Sequence, residues 1–210
     1  MKRFLLFSIV AWYITASCFC QIDWKNFMSQ QDMIWTRLPQ TWYEAPFMGN
    51  GSMGTYICKE PGKNAIRVDV GNSMVHDHRT NDRGVYGRCR LLIGYFLLHP
   101  AGEIKSGDMR LDLWNAETTG CIRTTLGEIK LKAYVTSESP YIVVEAEATE
   151  GEKDFTWKFY PENTDSPRQL NAIQRNNKKH LKKGYVSNPA SQLSVRNGVN
   201  YCWQPLLAGG

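Results

Sequence analysis

The sequence predicts an all-β protein built as an antiparallel β-sandwich. Apolar and charged residues alternate strictly in residues 109–113, and apolar residues recur at every second position in 129–135 and 142–148, which is the period of a strand with one buried face. Short polar turns separate these segments, and such turns usually join antiparallel neighbours. Because one-sided apolar faces need a second layer, two packed sheets are favoured over a lone sheet.

Further segments extend the predicted β-structure on both sides. The whole of 107–161 is interpreted as one meander, with residues 115–120 as a turn, and residues 91–98, apolar on both faces, predict a central strand covered on both sides. Trp157 and Trp203 lie in apolar alternation and are therefore predicted core residues. The other predicted elements are strands at 54–58, 65–70, 155–159 and 199–203, a weak helix within 23–34 and a surface loop over 162–192.

The first twenty residues have the layout of a secretory signal peptide. Lys2 and Arg3 precede an apolar run over 4–14, and small residues follow before Gln21. Cleavage before Gln21 is expected to release residues 21–210 as one β-sandwich domain, periplasmic or secreted. Acylation of Cys18 as a lipoprotein anchor is the alternative. The apolar run is shorter than the roughly 20 residues of a spanning helix, and the mature chain is predicted to contain no transmembrane segment.

Charge and cysteine content narrow the functional classes. The formal net charge of the chain is +5, and two of the positive charges lie in the signal peptide. This small net positive charge gives no reason to expect nucleic-acid binding, and no motif implies a cofactor. An exported chain can form disulfides, yet the spacing of its mature cysteines leaves both their pairing and buried free thiols open. These cysteines are Cys58, Cys89, Cys121 and Cys202.

Residues 42–54 form the most distinctive internal motif, in which Gly49, Gly51 and Gly54 surround Asn50. Glycines at this density indicate tight turns and close approach of another group. The order Ala45-Pro46, Gly49-Asn50-Gly51 and Gly54 resembles the opening motif of glycoside hydrolase family 95 and its clan relatives, exported enzymes typical of Bacteroides-type bacteria. Residues 68–73 differ from the Leu-Asn-Glu strand of family 95, so the resemblance points to a related, uncharacterised family.

The resemblance implies a galactose-mutarotase-like supersandwich, followed in the whole enzyme by an (α/α)6 catalytic barrel. The catalytic carboxylates of these enzymes lie in the barrel, so no residue of this chain is expected to be catalytic. The apolar ending over 206–210 predicts that the sandwich is incomplete at its C-terminus. The expected partners are a glycan, bound through the parent protein, and a barrel in cis. The alternative is a free-standing exported glycan-binding or structural β-sandwich.

Seven residues are candidates for proximity to substrate. Those near the glycine motif can offer an aromatic platform and polar contacts, and the later cluster follows the next predicted strand. The alternating histidines of that cluster could instead ligate a metal, but no third ligand is evident, so no metal site is predicted. The candidates are Trp42, Glu44, Asn50, Gly51, His76, Asp77 and His78.

Overall fold

The computed structural model describes residues 22–76, 90–162, 165, 187–205 and 207. In this part of the chain, one short helix and short 3-10 turns accompany a series of strands. The helix is α1 (Trp24–Ser29), and the strands are β1 (Met33–Trp35), β2 (Phe47–Gly49), β3 (Met53–Lys59), β4 (Ile66–Asn72), β5 (Gly94–His99), β6 (Ile104–Asp112), β7 (Glu117–Thr124), β8 (Glu128–Val135), β9 (Ile142–Ala148), β10 (Thr156–Pro161), β11 (Gln192–Arg196) and β12 (Val199–Trp203).

The strands form two five-stranded antiparallel sheets that pack on each other, which confirms the predicted all-β sandwich. The order in the first sheet is β1-β6-β7-β8-β9, and the order in the second is β10-β5-β4-β3-β2. Strands β11 and β12 pair as a separate hairpin. No described helix is long and apolar enough to cross a membrane.

Alternating side chains of the two sheets fill the space between them. Ile57 and Val68 face inward from the second sheet, while Ile122 and Ile129 face them from the first, and all four are almost fully buried. The residues that alternate with them along the same strands point outward and are mostly polar. The inward-facing residues of the period-2 pattern therefore form one continuous core, the arrangement expected of aligned sheets.

Strand connectivity differs from the predicted meander in two places. Residues 117–120, expected to be part of a turn, open β7 instead, and the actual turn is confined to residues 113–116. Strand β10 leaves the meander and pairs with β5 in the other sheet. The first change follows from burial, because Thr118 and Ile122 of β7 fill the first sheet's core face.

Two predictions of burial were wrong and one was confirmed. Residues 94–98 of the apolar segment 91–98 lie in the internal strand β5, where Leu97 and Leu98, on opposite faces, are both fully buried as predicted, while Phe96 is 40% exposed. Trp157 is 36% exposed because β10 lies at the edge of its sheet. Trp203 is 50% exposed because it belongs to the separate hairpin.

Several predictions fall on residues that the structure does not describe. These are the signal peptide with Cys18, the site candidates Asp77 and His78, Cys89, and most of the loop over 162–192. Cys58, Cys121 and Cys202 are free thiols in the described part of the chain.

Candidate functional site

A cleft of about 350 Å³ opens where the glycine motif meets the second sheet. The β2–β3 turn forms one side, and the ends of β3 and β4 together with residues 90–92 form the rest. The side chains that give the cleft its chemistry are those of Phe47, Ser52, Tyr56, Asp69, Asn72 and Arg90.

The glycine motif shapes the turn that borders this cleft. Gly51 has a φ of +91°, a region that side chains other than glycine rarely adopt. The Asn50 Oδ1 atom accepts hydrogen bonds from the backbone amides of Ser52 (3.0 Å) and Met53 (2.8 Å). A Cβ on Gly49 would lie 2.9 Å from the Met53 carbonyl oxygen, so this position needs glycine for space rather than for its backbone angle.

Phe47 supplies the exposed aromatic face of the cleft. In β2 the neighbouring Met48 points into the core, and strand alternation consequently turns Phe47 outward, where it is 73% exposed. Phe47 lies directly opposite Tyr56 of β3 in the strand register. Two aromatic rings thus stand beside each other on this wall.

Tyr56, Asp69 and Arg67 form a linked network beneath the cleft. The Arg67 Nε and Nη2 atoms donate to Asp69 Oδ2 at 2.9 and 2.7 Å. Burial, followed by the effect of the neighbouring Asp69 carboxylate, raises the pKa of Tyr56 well above its usual value. The Tyr56 hydroxyl therefore keeps its proton.

Arg67 is itself held by several neighbours. Its guanidinium lies 3.6 Å from the centre of the Tyr95 ring and also pairs with Glu162 at 3.1 Å. Burial opposes its charge, but the hydrogen bond to Asp69 and the charge of Asp69 outweigh burial and raise the pKa of Arg67. The Asp69 carboxylate consequently faces a permanent cation.

Arg90 stands on the opposite side of the cleft and is exposed. Its backbone pairs with His76 in an antiparallel bridge, and the amide of Leu91 donates to the carbonyl of Val75 at 3.0 Å. Within the described residues its guanidinium makes no ion pair. Among the described residues that line the cleft, Asp69 is an acid paired with Arg67, and Arg90 is a base with no ion pair to another described residue.

The predicted site residues are only partly brought together. Gly51 lines the cleft, Asn50 holds its turn, and His76 pairs with Arg90 at its border. Trp42 is not among the lining residues, being 69% exposed in a 3-10 turn against Tyr43. Asp77 and His78 lie outside the described residues.

Glu44 has a structural role in this arrangement. Its carboxylate accepts from Arg37 Nη2 at 2.7 Å and from the backbone amide of Gln40 at 2.5 Å. The hydrogen bond to Arg37, followed by that to Gln40, lowers the pKa of Glu44. Its backbone carbonyl accepts from Trp35 Nε1 at 2.6 Å. These contacts hold the segment before β2 against β1.

A larger groove of about 570 Å³ runs along the outer face of the first sheet. Several of its charged side chains pair with acids or bases of neighbouring strands, such as Arg110 with Asp32 and Lys132 with Glu117. Trp35, the aromatic residue among those lining it, is half-buried and hydrogen-bonded to Glu44. This groove lacks the exposed ring that distinguishes the cleft.

The sequence interpretation missed Phe47 and Arg90 as site residues. For Phe47 a signal existed, since it alternates with the apolar Met48 at the start of the motif. For Arg90 none existed, because its position depends on pairing with residue 76. No group of three or more potential metal ligands occurs among the residues described.

No protein-family model matches the chain, and no curated protein matches it either.

Proposed function

We propose that this chain is a non-catalytic β-sandwich domain of an exported glycoside hydrolase and that it contacts glycan through the cleft beside the glycine motif. The observation that carries the proposal is the exposed ring of Phe47 on a cleft wall that also carries polar side chains. Sugar rings present apolar C–H faces and a rim of hydroxyls. An aromatic face with hydrogen-bonding neighbours is complementary to both.

The cleft chemistry supports binding rather than glycosidic cleavage. Glycoside hydrolysis uses two carboxyl groups roughly 5–10 Å apart. Asp69 is the single acid among the described lining residues, and Arg67 already pairs with its carboxylate. The proposed role of the domain is therefore to hold substrate while carboxylates elsewhere in the parent protein cleave it.

The glycoside hydrolase parent is supported by the motif resemblance and by the two-sheet architecture that accompanies it. The proposed protein carries a signal peptide over residues 1–20 and an (α/α)6 barrel after the sandwich. A longer polypeptide read from the coding sequence beyond Gly210 tests this. Glycan hydrolysis by that polypeptide, and its loss when barrel carboxylates are replaced, are expected; absence of a helical barrel would contradict the proposal.

A free-standing glycan-binding protein is the second candidate. The exposed Phe47 ring and the polar side chains of the cleft would serve a protein that only binds glycan equally well. Glycan binding by a chain whose gene encodes no barrel would favour this candidate.

Affinity electrophoresis and calorimetry of the chain against a panel of plant and host glycans test the cleft directly. We expect Phe47→Ala to weaken binding about tenfold, because burial of a Phe side chain against the apolar face of a sugar contributes roughly 1.5–3 kcal/mol. Trp114→Ala removes an exposed ring from the β6–β7 turn of the other sheet and should leave affinity unchanged. Equal affinities for wild type and Phe47→Ala, or a loss caused by Trp42→Ala instead, would contradict the assignment to this cleft.

A further inference from the structure

Two charged residues, Asp69 and Arg90, occur among the described residues that line the cleft. They differ in whether a described residue of opposite charge pairs with them. Asp69 is 7% exposed and accepts hydrogen bonds from Arg67. Arg90 is exposed and makes no ion pair with any described residue. Among the described residues that line the cleft, Arg90 is therefore the charged side chain left for a ligand to pair with, and its charge is positive.

Backbone contacts hold Arg90 in its position. The bridge between Arg90 and His76 and the hydrogen bond from Leu91 to Val75 anchor this segment beside the end of β4. Arg90 lines the same cleft as Phe47. Aromatic ring and cation thus border one space of about 350 Å³, a volume at the lower end of small-ligand sites.

We infer that the cleft selects an anionic sugar, whose ring stacks on Phe47 while its carboxylate or sulfate pairs with Arg90. This inference rests on the proposed glycan-binding function and adds the substrate class. The planar guanidinium can donate two parallel hydrogen bonds to one carboxylate or sulfate group. A neutral sugar leaves that pairing unused.

The test uses the full chain and three oligosaccharide probes: galacturonan with free carboxylates, the same galacturonan as its methyl ester, and sulfated chondroitin. Methyl esterification removes the charge and keeps the ring, so the acid and the ester form a matched pair. Wild type should bind the free acid or the sulfated probe about tenfold more tightly than the ester, the ratio expected for one charge-assisted hydrogen-bonded pair. Because chondroitin sulfate carries carboxylates as well as sulfates, a preference for the free acid over its ester identifies the carboxylate, and tight binding of the sulfated probe without that preference points to the sulfate.

Variants separate the local pairing from general attraction by a basic protein. Arg90→Gln should make the affinities for acid and ester equal, and Arg90→Lys should restore part of the preference. Arg123→Gln removes a cation that pairs with Asp108 on the first sheet and should leave the preference intact. Thermal melts of the three variants should match that of wild type, because both arginines are exposed.

Outcomes for the two proposals are distinguishable. If ester and neutral glycans bind in a Phe47-dependent manner with no preference for the acid, selection of anions is wrong and the glycan-binding function stands. A preference that survives Arg90→Gln, or one that Arg123→Gln also abolishes, overturns the role of Arg90. If the folded chain binds no glycan at all, both proposals fail.

Discussion

Asn50 and Thr136 connect the glycine motif to the opposite sheet. The Asn50 Nδ2 atom donates to the carbonyl oxygen of Thr136 at 2.8 Å, and a second, longer hydrogen bond of 3.3 Å reaches the carbonyl of Ser139. Both acceptors lie in the β8–β9 turn, 86 and 89 residues away in sequence. One side chain thereby closes its own turn through its oxygen and ties the two sheets together through its nitrogen.

Asn50→Ala is expected to lower the free energy of unfolding by about 2 kcal/mol, because it leaves two backbone amides and a carbonyl of the turns without their partner. Urea denaturation measures the change. Asn200→Ala, in the exposed hairpin β11–β12, is the matched control and should stay within about 0.5 kcal/mol of wild type. A similar small effect at Asn50 would mean that other contacts hold the turn.

Asn50 also shows what the sequence could and could not predict. The spacing of Gly49, Asn50, Gly51 and Gly54 was sufficient to predict a sharp turn between strands, and β2 and β3 flank that turn. The contact with the β8–β9 turn was not predictable, since it depends on how the two sheets are packed. Asn50 was a candidate for contact with substrate. In the structure its side chain makes hydrogen bonds within the protein that hold the turn.

The same distinction explains the fold as a whole. Strands β8 and β9 were predicted to within a residue because their alternation records one buried face and one exposed face. Strand β7 was missed because its polar run Glu117–Gly120 has the composition of a turn, and only pairing with β6 and β8 makes it a strand. The local sequence reveals the periodicity of a strand, but it reveals neither the order of the strands nor the sheet to which each strand belongs.

The prediction for Glu152 concerns a carboxylate that is fully buried. It accepts hydrogen bonds from the backbone amides of Ala101 (2.8 Å) and Gly102 (2.9 Å) and from the Thr124 hydroxyl. Glu152→Gln replaces one acceptor oxygen with an NH2 group that faces donors, so we expect a loss of about 2–4 kcal/mol of stability.

Glu150→Gln is the control for this experiment, since Glu150 lies two residues earlier and is exposed, paired with Lys153 on the surface. Its melting temperature and urea midpoint should match those of wild type. Equal midpoints for Glu152→Gln and Glu150→Gln would show that the buried acceptors are dispensable.

Stability at alkaline pH should depend on Cys58, which is 2% exposed. Burial raises the pKa of the Cys58 thiol to about 11, and the opposing effect of Arg67 is smaller. The folded state therefore holds this proton more tightly than the unfolded state does. The resulting stability is fully present below the ordinary thiol pKa of about 8.5 and is lost as the pH rises through the folded pKa.

Urea denaturation of wild type and Cys58→Ser across this alkaline range measures the effect. The free energy of unfolding of wild type should fall more steeply with pH than that of the variant, while the two curves run parallel below the ordinary thiol pKa. Parallel curves throughout would contradict a protonated, buried thiol. Alkylation provides a second measurement, because the exposed Cys202 should react long before Cys58.

Gly49 and Gly54 of the motif should respond differently to a single added methyl group. A Cβ on Gly49 would lie 2.9 Å from the Met53 carbonyl oxygen, a backbone atom that cannot rotate away, whereas a Cβ on Gly54 would be 3.7 Å from its nearest neighbour, the Met48 carbonyl oxygen. Gly49→Ala is therefore expected to destabilise the fold by about 1–3 kcal/mol, the usual cost of overpacking.

Gly54→Ala is the matched control, because it lies directly opposite Gly49 in the register of β2 and β3 and its Cβ position is in ordinary van der Waals contact. We expect it to be neutral or slightly stabilising, since alanine loses less conformational freedom than glycine on folding. Thermal melts of both variants decide the matter. Equal destabilisation would mean that the motif needs glycine at both positions for ligand or backbone access, whereas the predicted asymmetry would place its structural requirement at the β2–β3 turn.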